Sequence, residues 1–300
     1  MPAWFAWSLL ALVSWGVWAI IGRVIGEALS PAQQQAVSTL GMLPIIAILP
    51  LIGKKESGRN SRRGTAMALA AGVLGCLGQV SYYHALGRGE KATTVVSLTA
   101  MYPLVTIILG VLFLSERLNR VQLCGIVFSL AAIYLFNVSS ASGVFTPWIV
   151  LALLPIALWG MTGFLQKLST NDISGERSTL WFLVVFIPAA VIILIIQPLP
   201  ASLSAKLWLW AIVMGFFFAL GNLAILLAFA RDGKAAVITP ISGLYPIVSI
   251  PLAVLALGEK ISVLQAVGIF LALASVVALS WQAGPTQPQA INNLQHEIHH

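Results

Sequence analysis

The residues of this 300-residue chain that could do chemistry are aromatic, hydroxyl and amide side chains set inside apolar runs. Trp15 and Trp18 are three apart and share one helix face, with Ser14 one turn from Trp18. Trp159 and Thr162 repeat that spacing further along. Gln79, Tyr82, Tyr83 and His84 form a second cluster, and Thr99, Tyr102, Asn222, Ser242 and Tyr245 complete the set. Such side chains suit the holding of a neutral, zwitterionic or amphipathic solute between aromatic faces and a few hydrogen bonds. No nucleophile–base arrangement, metal-ligand cluster or Walker A sequence accompanies them, so catalysis, a metal, a cofactor and direct use of ATP are not expected.

Several of these side chains have a plain packing alternative. Trp15 and Trp159 either line a cavity or pack between helices beside Gly16 and Gly160. Asn222 is either a cavity residue or one half of an interhelical hydrogen bond. His84 is the one histidine in or beside an apolar run, and reads either as a proton carrier or as a satisfied residue near the membrane edge. Trp4 and Trp7 read as membrane-edge residues. The acidic residues Glu27, Glu56, Glu90, Glu116, Asp172, Glu176, Asp232, Glu259 and Glu297 all fall in or beside loops. Carboxylates buried in a bilayer are costly and mark ion paths, so their absence from the runs argues against a carboxylate relay.

The elements that must position these side chains are transmembrane helices. The chain is 59% hydrophobic and 8% charged, with mean hydropathy +0.95, whereas a soluble domain carries about 25% charged residues. A spanning helix takes about 20 apolar residues. Ten such runs are expected, at 3–22, 32–52, 65–86, 93–114, 120–137, 147–167, 179–197, 207–229, 236–257 and 263–281. Polar caps open three of them: Ser30-Pro31 with Gln33, Asn119 with Gln122, and Ser262 with Gln265. Cys76 and Cys124 lie in apolar runs and read as small core residues, not as a disulfide. The net charge of +7 comes from basic residues in loops. They set orientation and do not form a nucleic-acid face. Lys54, Lys55, Arg59, Arg62 and Arg63 share one loop, which places that loop, and with it both termini, in the cytoplasm. The polar tail 283–300 is expected to be disordered, and His296, His299 and His300 in it read as solvated tail or tag residues.

The chain also contains one stretch twice. Residues 84–125 align with 227–268 at a constant offset of 143, with identical pairs that include Tyr102/Tyr245, Pro103/Pro246, Glu116/Glu259, Gln122/Gln265 and Gly125/Gly268. Ser14-Trp15-Gly16 aligns with Leu158-Trp159-Gly160 at 144, and Gln79 aligns with Asn222. Two repeats, 3–137 and 147–281, of five spans each follow from this. An odd number of spans per repeat inverts the second against the first, which is a transporter architecture. Pro103 and Pro246 then kink equivalent helices, either as hinges for rocking or as static packing kinks. Glu116 and Glu259 read as helix-end charges ahead of the fifth and tenth spans, or as loop partners of Arg117 and Lys260.

Over residues of about 5–280 the sequence resembles the drug/metabolite transporter superfamily, in its EamA-type branch with two EamA repeats. The likeness rests on Trp15-Gly16 and Trp159-Gly160, on Tyr102-Pro103 and Tyr245-Pro246, and on Ser115-Glu116-Arg117 and Gly258-Glu259-Lys260, each followed by Gln and Gly. It implies an all-α integral membrane protein of ten helices in two inverted five-helix repeats. The first, third, fourth, sixth, eighth and ninth would surround a central cavity, with the fifth and tenth more peripheral.

The expectation is a secondary transporter or facilitator that moves small organic solutes, amino-acid-like metabolites or amphiphilic compounds, by alternating access, and that acts as an exporter. An ion-coupled importer of sugars or related metabolites is the alternative, and a non-transporting scaffold or lipid-handling protein is the rival of another class. The partners expected are the solute and membrane lipid, with a homo-oligomer left open. The expected location is a bacterial inner (plasma) membrane.

Overall fold

The computed structural model describes residues 3–52, 61–87, 91–114, 119–138, 147–230, 238, 242–279 and 281. These form α1 (Ala3–Ile25), α2 (Pro31–Ile52), α3 (Ser61–Gly87), α4 (Ala92–Thr99), α5 (Pro103–Leu114), α6 (Arg120–Val138), α7 (Pro147–Thr170), α8 (Gly175–Val184), α9 (Phe186–Ile196), α10 (Ala205–Phe229), α11 (Pro246–Leu257) and α12 (Val263–Leu279), with a 3-10 turn at Gly26–Ala28. No strand occurs among the described residues.

The legible caps form as the side chains demand. Ser30 N–H donates to Gln33 Oε1 at 2.9 Å while the Ser30 hydroxyl accepts from Gln33 N–H at 3.2 Å. Asn119 with Gln122 closes the same reciprocal box at 3.0 and 2.9 Å, and Ser262 with Gln265 at 3.1 and 3.2 Å. Inside a bilayer these N–H groups have no water to turn to, so such boxes fix where the helices begin. Ser174 and Ser204 cap α8 and α10 in the simpler way, accepting from the N–H groups of Arg177 and Leu207.

Three expected runs are broken among the described residues. The run 93–114 is α4 and α5, separated at residues 100–102. Pro103 has no N–H and disfavours helical backbone in the residue before it. The chain tightens through the gap, with Met101 N–H on Leu98 O at 3.1 Å and Tyr102 N–H on Thr99 O at 3.2 Å. The equivalent stretch ahead of Pro246 does the same, with Tyr245 N–H on Ser242 O at 3.2 Å. The run 179–197 starts earlier, at Gly175, and divides into α8 and α9 at Val185, just ahead of Pro188.

Six helical segments are long and apolar enough to cross a membrane: Ala3–Ile25, Pro31–Ile52, Ser61–Gly87, Leu151–Thr170, Gly175–Ile196 and Ala205–Phe229. Shorter apolar helices join them at Ala92–Thr106, Arg120–Ala132, Pro246–Leu257 and Val263–Ala278. Their outer faces carry exposed Leu51, Ile195, Leu255 and Phe270, which is how a lipid-facing surface looks. The protein is an all-α, multi-pass membrane protein.

Packing runs across the two copies of the repeat rather than within them. The most extensive contacts join α3 to α7 and α1 to α10, then α6 to α12 and α2 to α10. Three close approaches recur at the repeat offset. A Cβ at Gly16 would stand 3.1 Å from Tyr245 O, and one at Gly160 would stand 2.8 Å from Tyr102 O. Gly78 lies against the Trp159 ring and Gly221 against the Trp15 ring, while Gly72 meets the Phe182 carbonyl and Gly215 that of Ser38. Small residues let these backbones come together in lipid, where van der Waals contact drives association. The helices that sequence similarity places at the periphery, α6 and α12, pair with each other through Ser129 and Ser275, whose hydroxyls are hydrogen-bonded.

Candidate functional site

Two layers of polar and aromatic side chains lie where the copies cross. The first is an aromatic cluster. Trp18 on α1 stacks on Tyr82 of α3 with ring centroids 5.0 Å apart. It meets Trp159 of α7 at 5.6 Å and Phe218 of α10 at 5.4 Å. Tyr82 also lies 5.3 Å from Trp159. Such offset and tilted pairs are the favoured geometries for rings, and they draw four helices to one point.

The polar tips of Trp18, Tyr82 and Tyr83 are assigned. The Tyr82 hydroxyl donates to the Ala19 carbonyl at 2.6 Å. The Tyr83 hydroxyl accepts from Trp18 Nε1 at 2.9 Å and from Gln79 Nε2 at 2.6 Å, and it also pairs with Ser38 of α2. Three buried atoms nearby are left over: Gln79 Oε1, Ser14 Oγ and Trp15 Nε1 have no hydrogen-bond partner. A buried polar atom without a partner costs about 1–3 kcal/mol.

The second layer stands at the helix breaks. Tyr245 reaches across to α4, its hydroxyl 3.2 Å from Thr99 Oγ1 and 3.3 Å from the Val96 carbonyl. Tyr102 makes the counterpart hydrogen bond with Ser242. Thr99 and Ser242 are equivalent positions in the repeat, as are Tyr102 and Tyr245, so the two contacts form a crossed pair. Thr99, Ser242 and Tyr245 are buried and Tyr102 is half-buried. Pro103 and Pro246 open the helices that follow.

The remaining sequence-derived positions fall outside these layers. Thr162 bonds the carbonyls of Leu158 and Ala71 at 2.9 and 3.3 Å, a packing role between α7 and α3. Asn222 donates to Phe218 O at 2.9 Å and accepts from Gln166 Nε2 at 3.4 Å, which is the interhelical alternative. Trp15 packs on Gly221, with Ser14 buried beside it on α1. His84 is half-buried in the last turn of α3.

Glu259 does something different from its sequence reading. Its carboxylate does not serve α12, which is capped by the box of Ser262 with Gln265. It crosses to the other copy and accepts the N–H groups of Ala92 at 2.6 Å and Thr93 at 3.0 Å, the first turn of α4. Lys91 completes the clasp, donating to Gln265 Oε1 at 2.9 Å and to the Lys260 carbonyl. Two unpaired N–H groups and a helix-end dipole favour a carboxylate there. Glu116 and Arg117 lie outside the described residues. Among the described residues, no group of three His, Cys, Asp or Glu side chains is placed to hold a metal.

Comparison with known proteins adds three findings. The model of the EamA-like transporter family matches the chain twice, over residues 2–138 and 146–281. An uncharacterized protein of Methanocaldococcus jannaschii is 30% identical over 133 residues, which are 44% of this chain and 95% of that protein. A crystal structure of another protein superposes with a TM-score of 0.63 at 16% identity, covering 91% of this chain and 96% of that one. That likeness is one of fold.

Proposed function

Because the chain belongs to the EamA-like transporter family, we propose that it is a secondary transporter that carries small organic solutes by alternating access at the crossing of its two repeats. The observation that carries the reading is the crossed pair, Tyr245 on Thr99 and Tyr102 on Ser242. Both contacts tie one repeat to the other, and both sit where a proline has freed the backbone. Rocking one repeat against the other breaks and remakes such contacts while the packed helices stay rigid.

In this reading the chain crosses the membrane ten times, as two inverted five-span repeats over 3–137 and 147–281. Both termini are cytoplasmic, in a bacterial inner membrane. The broken helices α4–α5 and 242–257 are the moving walls, and Pro103 and Pro246 their hinges. Trp18, Tyr82, Tyr83 and Trp159 form the aromatic face against which the solute lies. Gln79 Oε1, Ser14 Oγ and Trp15 Nε1 are the polar atoms it can engage. The spans offer no carboxylate relay, so the reading favours uncharged, zwitterionic or amphipathic cargo, and export as its direction.

The test is counterflow in proteoliposomes with a panel of amino acids, sugars and amphiphilic cations. At least one class exchanges with wild-type protein, and Tyr102→Phe and Tyr245→Phe each lower its rate several-fold while the protein stays folded. Absence of flux across the whole panel, or full rates in both variants, refutes the reading.

A further inference from the structure

A cavity of about 180 Å³ opens between the C-terminal ends of α1 and α3 and the start of α2, lined by Gly22, Arg23, Gly26, Gln34, Tyr83 and Gly87. One water needs only ~10–15 Å³ of such space, so the cavity has room for a small organic molecule. It lies wholly within the first copy of the repeat, apart from the crossed tyrosines. Its polar groups are of two kinds. Arg23 donates from Nη1 to the Leu86 carbonyl at 2.6 Å, and among the side chains described no carboxylate is paired with it. A guanidinium has five N–H donors in a planar fork, so most of its capacity is open, and a carboxylate is the group that matches the fork. Gln34 is 4% exposed. Its Nε2 donates to the carbonyls of Gly26 at 3.1 Å and Leu29 at 3.2 Å, which fixes the amide orientation. Its Oε1 is thereby an acceptor, and it is buried with no partner.

The repeat provides an internal control. At the offsets of 144 and 143, Gly26 corresponds to Thr170, Gln34 to Ser178, Tyr83 to Leu226 and Gly87 to Ala230. None of these four keeps the residue type of the first copy. Gly175 packs on the Leu226 carbonyl, and Ser178 is bonded to Ser169 at 2.9 Å. The first copy has its cavity because glycines vacate the space, and a Cβ at Gly26 or Gly87 would meet no atom within 4 Å.

We propose that this cavity is a binding site for a small carboxylic acid bearing a hydrogen-bond donor on the adjacent carbon, an α-amino or α-hydroxy acid, with the carboxylate on Arg23 and the donor on Gln34 Oε1. The Tyr83 ring walls the cavity, and its hydroxyl is already engaged by Trp18 and Gln79, so it links the bound acid to the aromatic cluster. The assignment rests on the transport reading only in making the cavity a station on the solute's route. Binding is measured apart from flux.

The test is equilibrium binding to purified full-length protein in lipid nanodiscs, with alanine and lactate as the two ligands and propionate and alanine amide as controls. Alanine, lactate or both bind, while propionate, which lacks the donor, and alanine amide, which lacks the carboxylate, bind at least tenfold more weakly. Arg23→Gln lowers affinity at least tenfold. Gly87→Leu does the same by filling the cavity without deleting a packed group, and both variants are compared with wild type by thermal unfolding. Leu255→Ala, on the exposed outer face, leaves binding intact. Failure of both ligands to bind, equal binding of either control, or unchanged affinity in Arg23→Gln and Gly87→Leu overturns the assignment. So does a loss confined to Tyr102→Phe, which would locate the ligand at the crossing. Binding that persists in a protein without counterflow would sink the transport reading and leave this one standing.

Discussion

Thr99 already donates its hydroxyl proton to the Val95 carbonyl at 2.8 Å, so the tyrosine supplies the one proton, shared between Thr99 Oγ1 and the Val96 carbonyl. Tyr245→Phe therefore removes one neutral hydrogen bond and leaves Thr99 paired. It costs about 0.5–1.5 kcal/mol of stability, read as a small downward shift in thermal unfolding beside a much larger effect on flux. Glu259 is the opposite case, a charge whose two partners are backbone N–H groups with nowhere else to go. Glu259→Ala loses about 1 kcal/mol or more through the uncapped first turn of α4, and Glu259→Gln, which keeps one acceptor, loses less. Unfolding midpoints of the two variants that do not separate would remove Glu259 from the role of cap. At this scale the capping boxes were legible because Ser, Asn and Gln at fixed spacing form a local motif. The clasp was not. A repeat reveals which residues are equivalent, not which ones touch, and the partner of Glu259 lies more than 160 positions away. Arg23 and Gln34 escaped notice for a related reason, since their cavity is made by what Gly26 and Gly87 lack.

Among the helices, the breaks and the glycine contacts carry the consequences. Pro103→Ala restores an N–H to the gap between α4 and α5 and removes the steric block on helical backbone at Tyr102. The expected result is unchanged or higher thermal stability with slower exchange. Faster exchange would count against a hinge. Gly72→Ala sets a methyl group against the Phe182 carbonyl, 2.5 Å from where the Cβ would be. Backbone cannot swing aside as a side chain does, so α3 and α8 must separate, at a cost of about 1–3 kcal/mol by thermal unfolding. A change of less than ~0.5 kcal/mol would mean that the two helices are looser than their geometry indicates. The sequence carried the kinks, since proline acts locally. It placed helix starts to within a few residues, but treated 93–114, 179–197 and 236–257 as single helices, because hydropathy continues through a break that only backbone geometry reveals.

Across the whole molecule, α1 beds on α10 and α3 on α7, so each copy of the repeat supplies the other's packing surface. A chain cut between the copies, at 139–146, would leave each fragment with a face of glycine and aromatic residues unmatched. Either fragment expressed alone is expected to be degraded or to aggregate, and the two expressed together to copurify. A stable, monodisperse single fragment would contradict this. The duplication and its register were legible from identical Tyr-Pro, Glu and Gln pairs, and membrane residence from hydropathy. That the copies interlock through Gly78 on Trp159 and Gly221 on Trp15 was not legible, because in a uniformly apolar helix every face looks alike. The interlock has a genetic consequence. A damaging substitution at Gly16 presses on Val248 and the Tyr245 carbonyl, and one at Gly160 on Val105 and the Tyr102 carbonyl, so relief must come from a shift of the facing copy. Second-site suppressors of a lesion in one copy should map to the other, and the two copies, though born as duplicates, can no longer mutate independently.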